Sequence, residues 1–217
     1  MAIVEFWYEF ASTYSYPAAM RIERLAAARG VRVAWKAFLL GPIFAAQGWA
    51  DSPFNLYPAK GRYMWRDLER ICAREGIALR RPSVFPRSGL VAARVACLND
   101  EASWLPDFVR AVYGANFGED RETDDAGVVA SLLAGLGLPG DELIARAGSP
   151  DAKAALRRRN EEAAERGVFG APTMFVGDEM FWGNDRLEDA FDWALKRSHE
   201  DPPPLPAGGD GGRAFKN

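Results

Sequence analysis

The chain is poor in the residues that most catalytic chemistry depends on. Its 217 residues include one histidine and two cysteines. The lone His199 stands at the edge of a Pro- and Gly-rich stretch, far from any candidate nucleophile, which argues against a Ser-His-Asp hydrolase. No His/Cys grouping has metal-ligand spacing, so no metal is expected. Cys72 and Cys97 are isolated in helical patterns beside Leu68, Ile71, Val95 and Leu98; they read as two reduced, buried thiols rather than a disulfide framework. There is no cationic excess either. Lys and Arg number 27 against 30 acids, and Arg157-Arg158-Arg159 is followed by Glu161, Glu162 and Glu165, a solvated helix face rather than a nucleic-acid stripe. No apolar run approaches the roughly 20 residues of a membrane span. Glu5 and Glu9 sit in the first apolar segment, which therefore reads as a strand and not as a signal peptide. A cytoplasmic protein is expected. The Gly114-Ala115-Asn116 and Gly135-Leu136-Gly137 clusters lack a preceding strand and make no dinucleotide motif.

What is present is concentrated in residues 167–188, GVFGAPTMFVGDEMFWGNDRLE. Gly167 stops a helix. Ala171-Pro172 precedes an apolar strand, and Gly177-Asp178 separates Thr-Met-Phe-Val from Glu-Met-Phe-Trp as a hairpin turn. Asn184 and Asp185 stand where the next helix begins, and either could cap it. Strand, hairpin and helix with a proline at the entrance reads as the second half of a thioredoxin fold.

The first half lies at the N-terminus. Residues 2–9 form an apolar strand, residues 18–29 carry Met20, Ile22, Leu25 and Ala28 at helical spacing, and residues 31–38 alternate as a second strand. Ser12-Thr13-Tyr14-Ser15 occupies the strand-to-helix junction where redox thioredoxins place Cys-x-x-Cys. A hydroxyl there cannot exchange disulfides, but it can donate a hydrogen bond to a thiolate held at the helix N-terminus. Ser15 reads as the helix cap, with Pro17 in the first turn. Taken alone, Ser12 also reads as a cap; only the flanking motifs give it a function.

Residues 41–166 contain no convincing strand. Helices are expected at 57–75, 88–98, 102–115, 124–136, 141–147 and 150–166, with starts at Ser88, Thr123 and Ser149-Pro150 and stops at Gly76, Gly137 and Gly167. The expected organisation is α/β: a thioredoxin-like domain from residues 1–42 and 167–200, an all-helical insertion at 43–166, and a disordered tail at 201–217.

Three segments carry a resemblance: the strand with Ser12-Thr13-Tyr14-Ser15-Tyr16; residues 55–68, NLYPAKGRYMWRDL; and Phe169-Gly170-Ala171-Pro172-Thr173 with Trp182-Gly183-Asn184-Asp185-Arg186-Leu187. Together they resemble the 2-hydroxychromene-2-carboxylate isomerase family, close to kappa-class glutathione transferases in the DsbA-like branch of the thioredoxin fold. The likeness covers nearly the whole chain except the tail. It departs at Thr13, where the family usually has proline.

The resemblance implies glutathione as cofactor. Ser12 would hydrogen-bond the glutathione sulfur and keep it a thiolate. Ala171, before a cis Pro172, would pair its backbone with the cysteinyl unit. Asn184 and Asp185 would hold the γ-glutamyl end, and Lys60 the glycine carboxylate, with Asn55 a weaker candidate beside it. The implied reaction is isomerisation of a chromene acid to a trans-benzylidenepyruvate without net use of glutathione, by a homodimer. Trp7, Tyr14, Phe54, Trp65 and Trp182 are available for an aromatic pocket. Each residue has a plainer reading: Lys60 as a solvated lysine, Asn184 and Asp185 as caps, Asp67 and Arg70 as a surface pair. A kappa-like transferase or peroxidase shares the same thiolate site. A non-enzymatic binding protein that has lost its cysteines is the reading from a different class, and it predicts no glutathione binding.

Overall fold

The apolar N-terminal run forms β1 (Ile3–Tyr8), and α1 (Ser15–Arg29) carries the chain to a parallel β2 (Arg32–Ala37), with Phe6 opposite Trp35. The computed structural model describes the backbone of residues 1–200 and the side chains through residue 197; the expected tail and the side chain of His199 lie outside the described residues. Gly30 ends α1 at φ 64, a left-handed conformation that glycine adopts at little cost. After a long helical stretch the chain returns as β3 (Thr173–Val176) and β4 (Glu179–Trp182), joined by a turn at Gly177. β3 runs antiparallel to β1 and to β4, giving the order β2-β1-β3-β4. Helix α10 (Leu187–Glu200) completes a thioredoxin fold.

The helical block comprises α2 (Leu40–Ala46), α3 (Pro53–Leu56), α4 (Pro58–Glu75), α5 (Leu90–Cys97), α6 (Leu105–Tyr113), α7 (Ala126–Gly135), α8 (Gly140–Ala147) and α9 (Pro150–Glu165). Among the described residues no strand interrupts it. Ser149 caps α9 by accepting the Ala152 N–H at 3.2 Å. Several starts and ends differ from the sequence expectation. Asp125, not Thr123, caps α7, accepting the Val128 N–H at 3.0 Å; Thr123 is buried and its own N–H is bonded to Arg121. α5 begins at Leu90, past Ser88. The helix expected through residue 115 ends at Tyr113 and widens into a π-helical turn, Gly114–Gly118, where buried Arg87 donates to Asn116 Oδ1.

The strands' two faces serve different cores. Val4, Phe6 and Tyr8 point toward Ile22 of α1, Met64 and Leu68 of α4 and Phe108 of α6, so one core runs from sheet into helical block. Trp7 points the other way, with Phe38, Leu40, Ile43 and Phe175, and with Ala163 of α9. Cys72 is buried, while Cys97 is only half-buried, donating its thiol to the Ala37 carbonyl at 3.3 Å. Burial pushes both thiols up to about 11, which leaves them protonated and unreactive at neutral pH.

Candidate active site

The chain leaves β1 at Glu9 and turns back, with the Ser12 N–H donating to the Glu9 carbonyl at 3.0 Å. The Ser12 hydroxyl does two things. It donates to the Ala171 carbonyl at 2.9 Å and accepts the Ser15 N–H at 3.2 Å. Ser15 is therefore not the cap. It is the first residue of α1 and fully buried, and the cap comes from Ser12, whose short side chain reaches the N–H three residues on.

Ala171 precedes a cis Pro172. The loop around them is tied into the hairpin: Gly183 donates its N–H to the Pro172 carbonyl at 2.9 Å, and the Thr173 hydroxyl donates to Gly170 at 2.9 Å. Gly170 has no room for a side chain, since a Cβ would lie 2.3 Å from Trp182 Nε1. Phe169 meets the same indole edge-on at 4.9 Å. Among the described residues nothing accepts the Ala171 N–H.

Tyr14, two residues past Ser12, brings α4 to the site. Its hydroxyl donates to Asp67 Oδ2 at 3.0 Å, which replaces the surface pair expected between Asp67 and Arg70. Its ring stands 6.2 Å from Phe54, and the exposed Lys60 ammonium lies 5.6 Å from the Phe54 centroid. Burial raises the Tyr14 pKa most, the Asp67 hydrogen bond and charge raise it further, and Tyr63 and Asp185 add to the rise. Asp185 thus lies near enough for its field to reach Tyr14. Gly61 lets α3 rest on α4: a Cβ there would sit 2.2 Å from the Phe54 carbonyl oxygen. Asn55 is turned elsewhere, bracing Asp51 at 3.1 Å and the Phe85 carbonyl at 3.3 Å.

Asn184 and Asp185 fall in a 3₁₀ turn, Asn184–Arg186, ahead of α10. Neither makes the expected side-chain cap there. Asp185 is exposed and pairs with Arg186 at 3.4 Å. Asn184 is buried, and its Oδ1 has no hydrogen-bond partner. Thr13 Oγ1 is likewise buried and unpartnered. Such atoms are uncommon in folded proteins, and these two leave hydrogen-bonding capacity unused beside the Ser12 loop and the start of α10.

The structure therefore brings Ser12, Ala171, Pro172 and Tyr14 together and sets Lys60 and Asp185 on the flanks. Of the aromatics, Trp7 and Trp65 are buried, whereas Tyr14 and Phe54 are half-buried and Trp182 is exposed. A cleft of about 340 Å³ along β2 and another of about 410 Å³ beside Arg87 contain none of these residues.

A sequence profile of the DSBA-like thioredoxin domain matches residues 3–192. A 2-hydroxychromene-2-carboxylate isomerase from Sphingobium xenophagum is 33% identical over 187 residues, spanning 85% of this chain and 94% of that protein. The chain belongs to the 2-hydroxychromene-2-carboxylate isomerase family of the DSBA-like fold. A solved structure of such an isomerase superposes with a TM-score of 0.81 at 29% identity, covering 91% of this chain and 98% of that one. Glutathione S-transferase kappa 2 of Caenorhabditis elegans is 26% identical, over 88% of this chain and 91% of its own length. These relatives are enzymes.

Within this family frame, two site-bordering residues escape the sequence reading. Arg21 is 8% exposed on α1; it donates to the Asn184 carbonyl at 3.1 Å and to Glu188 at 3.1 and 3.3 Å. The available signal was a charge beside Ile22 on the face that packs inward. Glu9 is the other. Its Oε1 accepts the Leu40 N–H at 3.1 Å, and burial pushes its carboxyl up to about 7. The signal there was an acid closing an otherwise apolar strand, three residues ahead of Ser12.

Proposed function

We propose that the protein is a glutathione-dependent isomerase acting on 2-hydroxychromene-2-carboxylate or a related aromatic-degradation intermediate. The observation that carries this reading is the Ser12 hydroxyl, placed between the N-terminus of α1 and the carbonyl before cis Pro172. Neither cysteine of the chain stands there, which removes disulfide exchange and leaves a hydrogen-bond donor in a field that favours negative charge. Asn184 Oδ1, buried without a partner, fits a ligand carrying an ammonium or amide donor. The exposed charges of Lys60 and Asp185 suit a molecule with a carboxylate at one end and an ammonium at the other.

Bound glutathione would supply a thiolate able to add reversibly to a conjugated substrate, which frees the former double bond to rotate. Ser12 would turn its hydroxyl from Ala171 to the sulfur and hold it as the anion. The Ala171 carbonyl and N–H would then both be open to an extended peptide backbone. Lys60 would bind the glycine carboxylate, and Asn184 and Asp185 the γ-glutamyl end. Tyr14, Phe54 and Trp182 would offer apolar surface to a small aromatic carboxylate. The reading places the enzyme in the cytoplasm as a homodimer. Among the described residues no helix is long and apolar enough to cross a membrane, and no group of side chains could hold a metal.

Calorimetric titration with reduced, oxidised and S-methyl glutathione, followed by an ultraviolet assay on chromene acids, tests the proposal. Saturable binding that favours the free thiol, with turnover and no loss of glutathione, is the expected result. No binding at millimolar glutathione would overturn it. Conjugates that stay attached to glutathione would move the function to that of a kappa-like transferase, which the kappa relative makes the nearest alternative.

A further inference from the structure

The isomerisation moves a proton as well as rotating a bond. The chromene acid holds a hydroxyl and the ring oxygen on one carbon. Opening the ring removes the proton from that hydroxyl, whose O–H electron pair becomes the ketone π bond. The ring carbon–oxygen bond breaks with its electrons on the phenol oxygen, which then takes up a proton. One group that accepts the first proton and delivers it to the second oxygen balances the step, with nothing gained or lost.

Glu9 is placed to be that group. It follows β1 directly, and its carbonyl accepts the Ser12 N–H, so the two residues belong to one turn of the chain. It shares the strand face of Trp7, whose apolar cluster also takes in Phe44 and Ala171, the residue that receives the Ser12 hydroxyl. One carboxylate oxygen is fixed by the Leu40 N–H at 3.1 Å, while the residue as a whole keeps a partial opening to solvent. Among the described residues no cation pairs with it, so nothing holds it permanently ionised. From α6, Tyr113 donates its hydroxyl to the Glu9 carbonyl at 2.7 Å. α2 carries no titratable side chain. Arg159 of α9 and Arg166 just past its end lie over the Trp7 ring and are engaged by Asp100 and Glu5 respectively. On β1, Tyr8 points to the opposite face.

We propose that Glu9 carries the proton between the two oxygens of the opening ring, beside the Ser12–Ala171 pair. This inference rests on the isomerase reading. A carboxyl pushed up to about 7 is matched to such work near neutral pH, since it accepts and returns a proton with little driving force against either step.

The test compares wild type, Glu9→Gln and Glu9→Asp in kcat/KM against pH, in glutathione affinity by calorimetry, and in the ultraviolet titration of the bound thiolate. Glutamine retains an oxygen for the Leu40 N–H, so the fold around α2 is kept, and a thermal melt checks it. In E9Q we expect kcat/KM to fall by roughly a hundredfold and its dependence near neutral pH to be lost, with E9D retaining part of both. Glutathione affinity and the thiolate titration should stay at wild-type values. Turnover in E9Q equal to wild type, with the same pH profile, overturns the role of Glu9 alone. A parallel loss of glutathione affinity in E9Q also overturns it, because the residue would then be shaping the thiol site. Absence of turnover in wild type overturns the isomerase reading and this inference with it.

Discussion

The hydroxyl of Ser12 reaches the carbonyl oxygen of Ala171 at 2.9 Å, across 159 residues of sequence. That one bond joins the start of α1 to the cis-proline loop while the same oxygen caps the helix. Ser12→Ala removes both interactions, so we expect a stability loss of about 1 kcal/mol. The functional loss should be larger. Without the donor, the bound thiol should titrate at higher pH and kcat/KM should fall by about two orders of magnitude. Thiolate absorbance against pH and steady-state rates check this. Full turnover in S12A would remove Ser12 from the chemistry and leave it a cap.

Arg21 should matter for both folding and binding. Its guanidinium is nearly enclosed and ties α1 to Glu188 of α10 and to the Asn184 carbonyl. Arg21→Met removes the cation and leaves Glu188 with one partner fewer, though Glu188 keeps some contact with water. Breaking a buried pair costs about 3 kcal/mol, and we set this one somewhat lower for that exposure. Thermal melts read the stability loss. Calorimetry should show weaker glutathione binding, because the Asn184 turn loses its anchor. An unchanged glutathione affinity in a folded R21M would show that the turn holds its shape without Arg21.

Gly61 offers a sharper test of the α4 flank. A methyl group there meets the Phe54 carbonyl, which is backbone and cannot swing aside. Gly61→Ala must push α3 off α4, at about 1–3 kcal/mol of strain. The shift moves Phe54 relative to Lys60 and Tyr14. Glutathione affinity should therefore drop in G61A even where the protein remains folded. A variant that melts like wild type would contradict the close approach of the two helices.

Most of the fold could be read in the sequence because it rests on local rules. A continuous apolar run marked β1, alternation marked β2, Gly177 marked the hairpin, and Gly76, Gly137 and Gly167 took the positive φ values that end helices. What could not be read were the choices that depend on tertiary packing. Thr123 and Asp125 are equally good caps on paper; burial of Thr123 decided for Asp125. Ser12 and Ser15 are equally good caps of α1, and the Ala171 carbonyl, distant in sequence, fixes the Ser12 side chain in the capping position. The site showed the same division. Ser12 and the Ala171-Pro172 loop announce themselves by motif, but the partnership of Tyr14 with Asp67 requires knowing that α4 crosses the start of α1. Glu9 and Arg21 were harder to single out, since a charge closing or interrupting an apolar run is a weak signal that does not say how far folding will enclose it.

That enclosure gives Glu9 a signature in the stability of the protein without any ligand. Its folded pKa of about 7 lies above the ordinary carboxylate value of 4.5. Between those values the folded protein holds a proton that the unfolded chain releases. The stabilisation is therefore complete below pH 4.5 and is lost as the pH rises through 7. The loss should be on the order of 2 kcal/mol, less than the full shift implies because the residue keeps a partial opening to water. Asp120, held below its ordinary pKa by the Ser83 N–H and Arg87, acts in the opposite sense and only in the acid range, so the two do not mask each other. Denaturant unfolding of wild type and Glu9→Gln at a series of pH values separates the contribution. Wild type should weaken between about pH 5 and 8, and E9Q should show a flatter profile across that interval. Identical slopes in the two proteins would mean that the Glu9 carboxyl is ionised throughout and has no proton to carry.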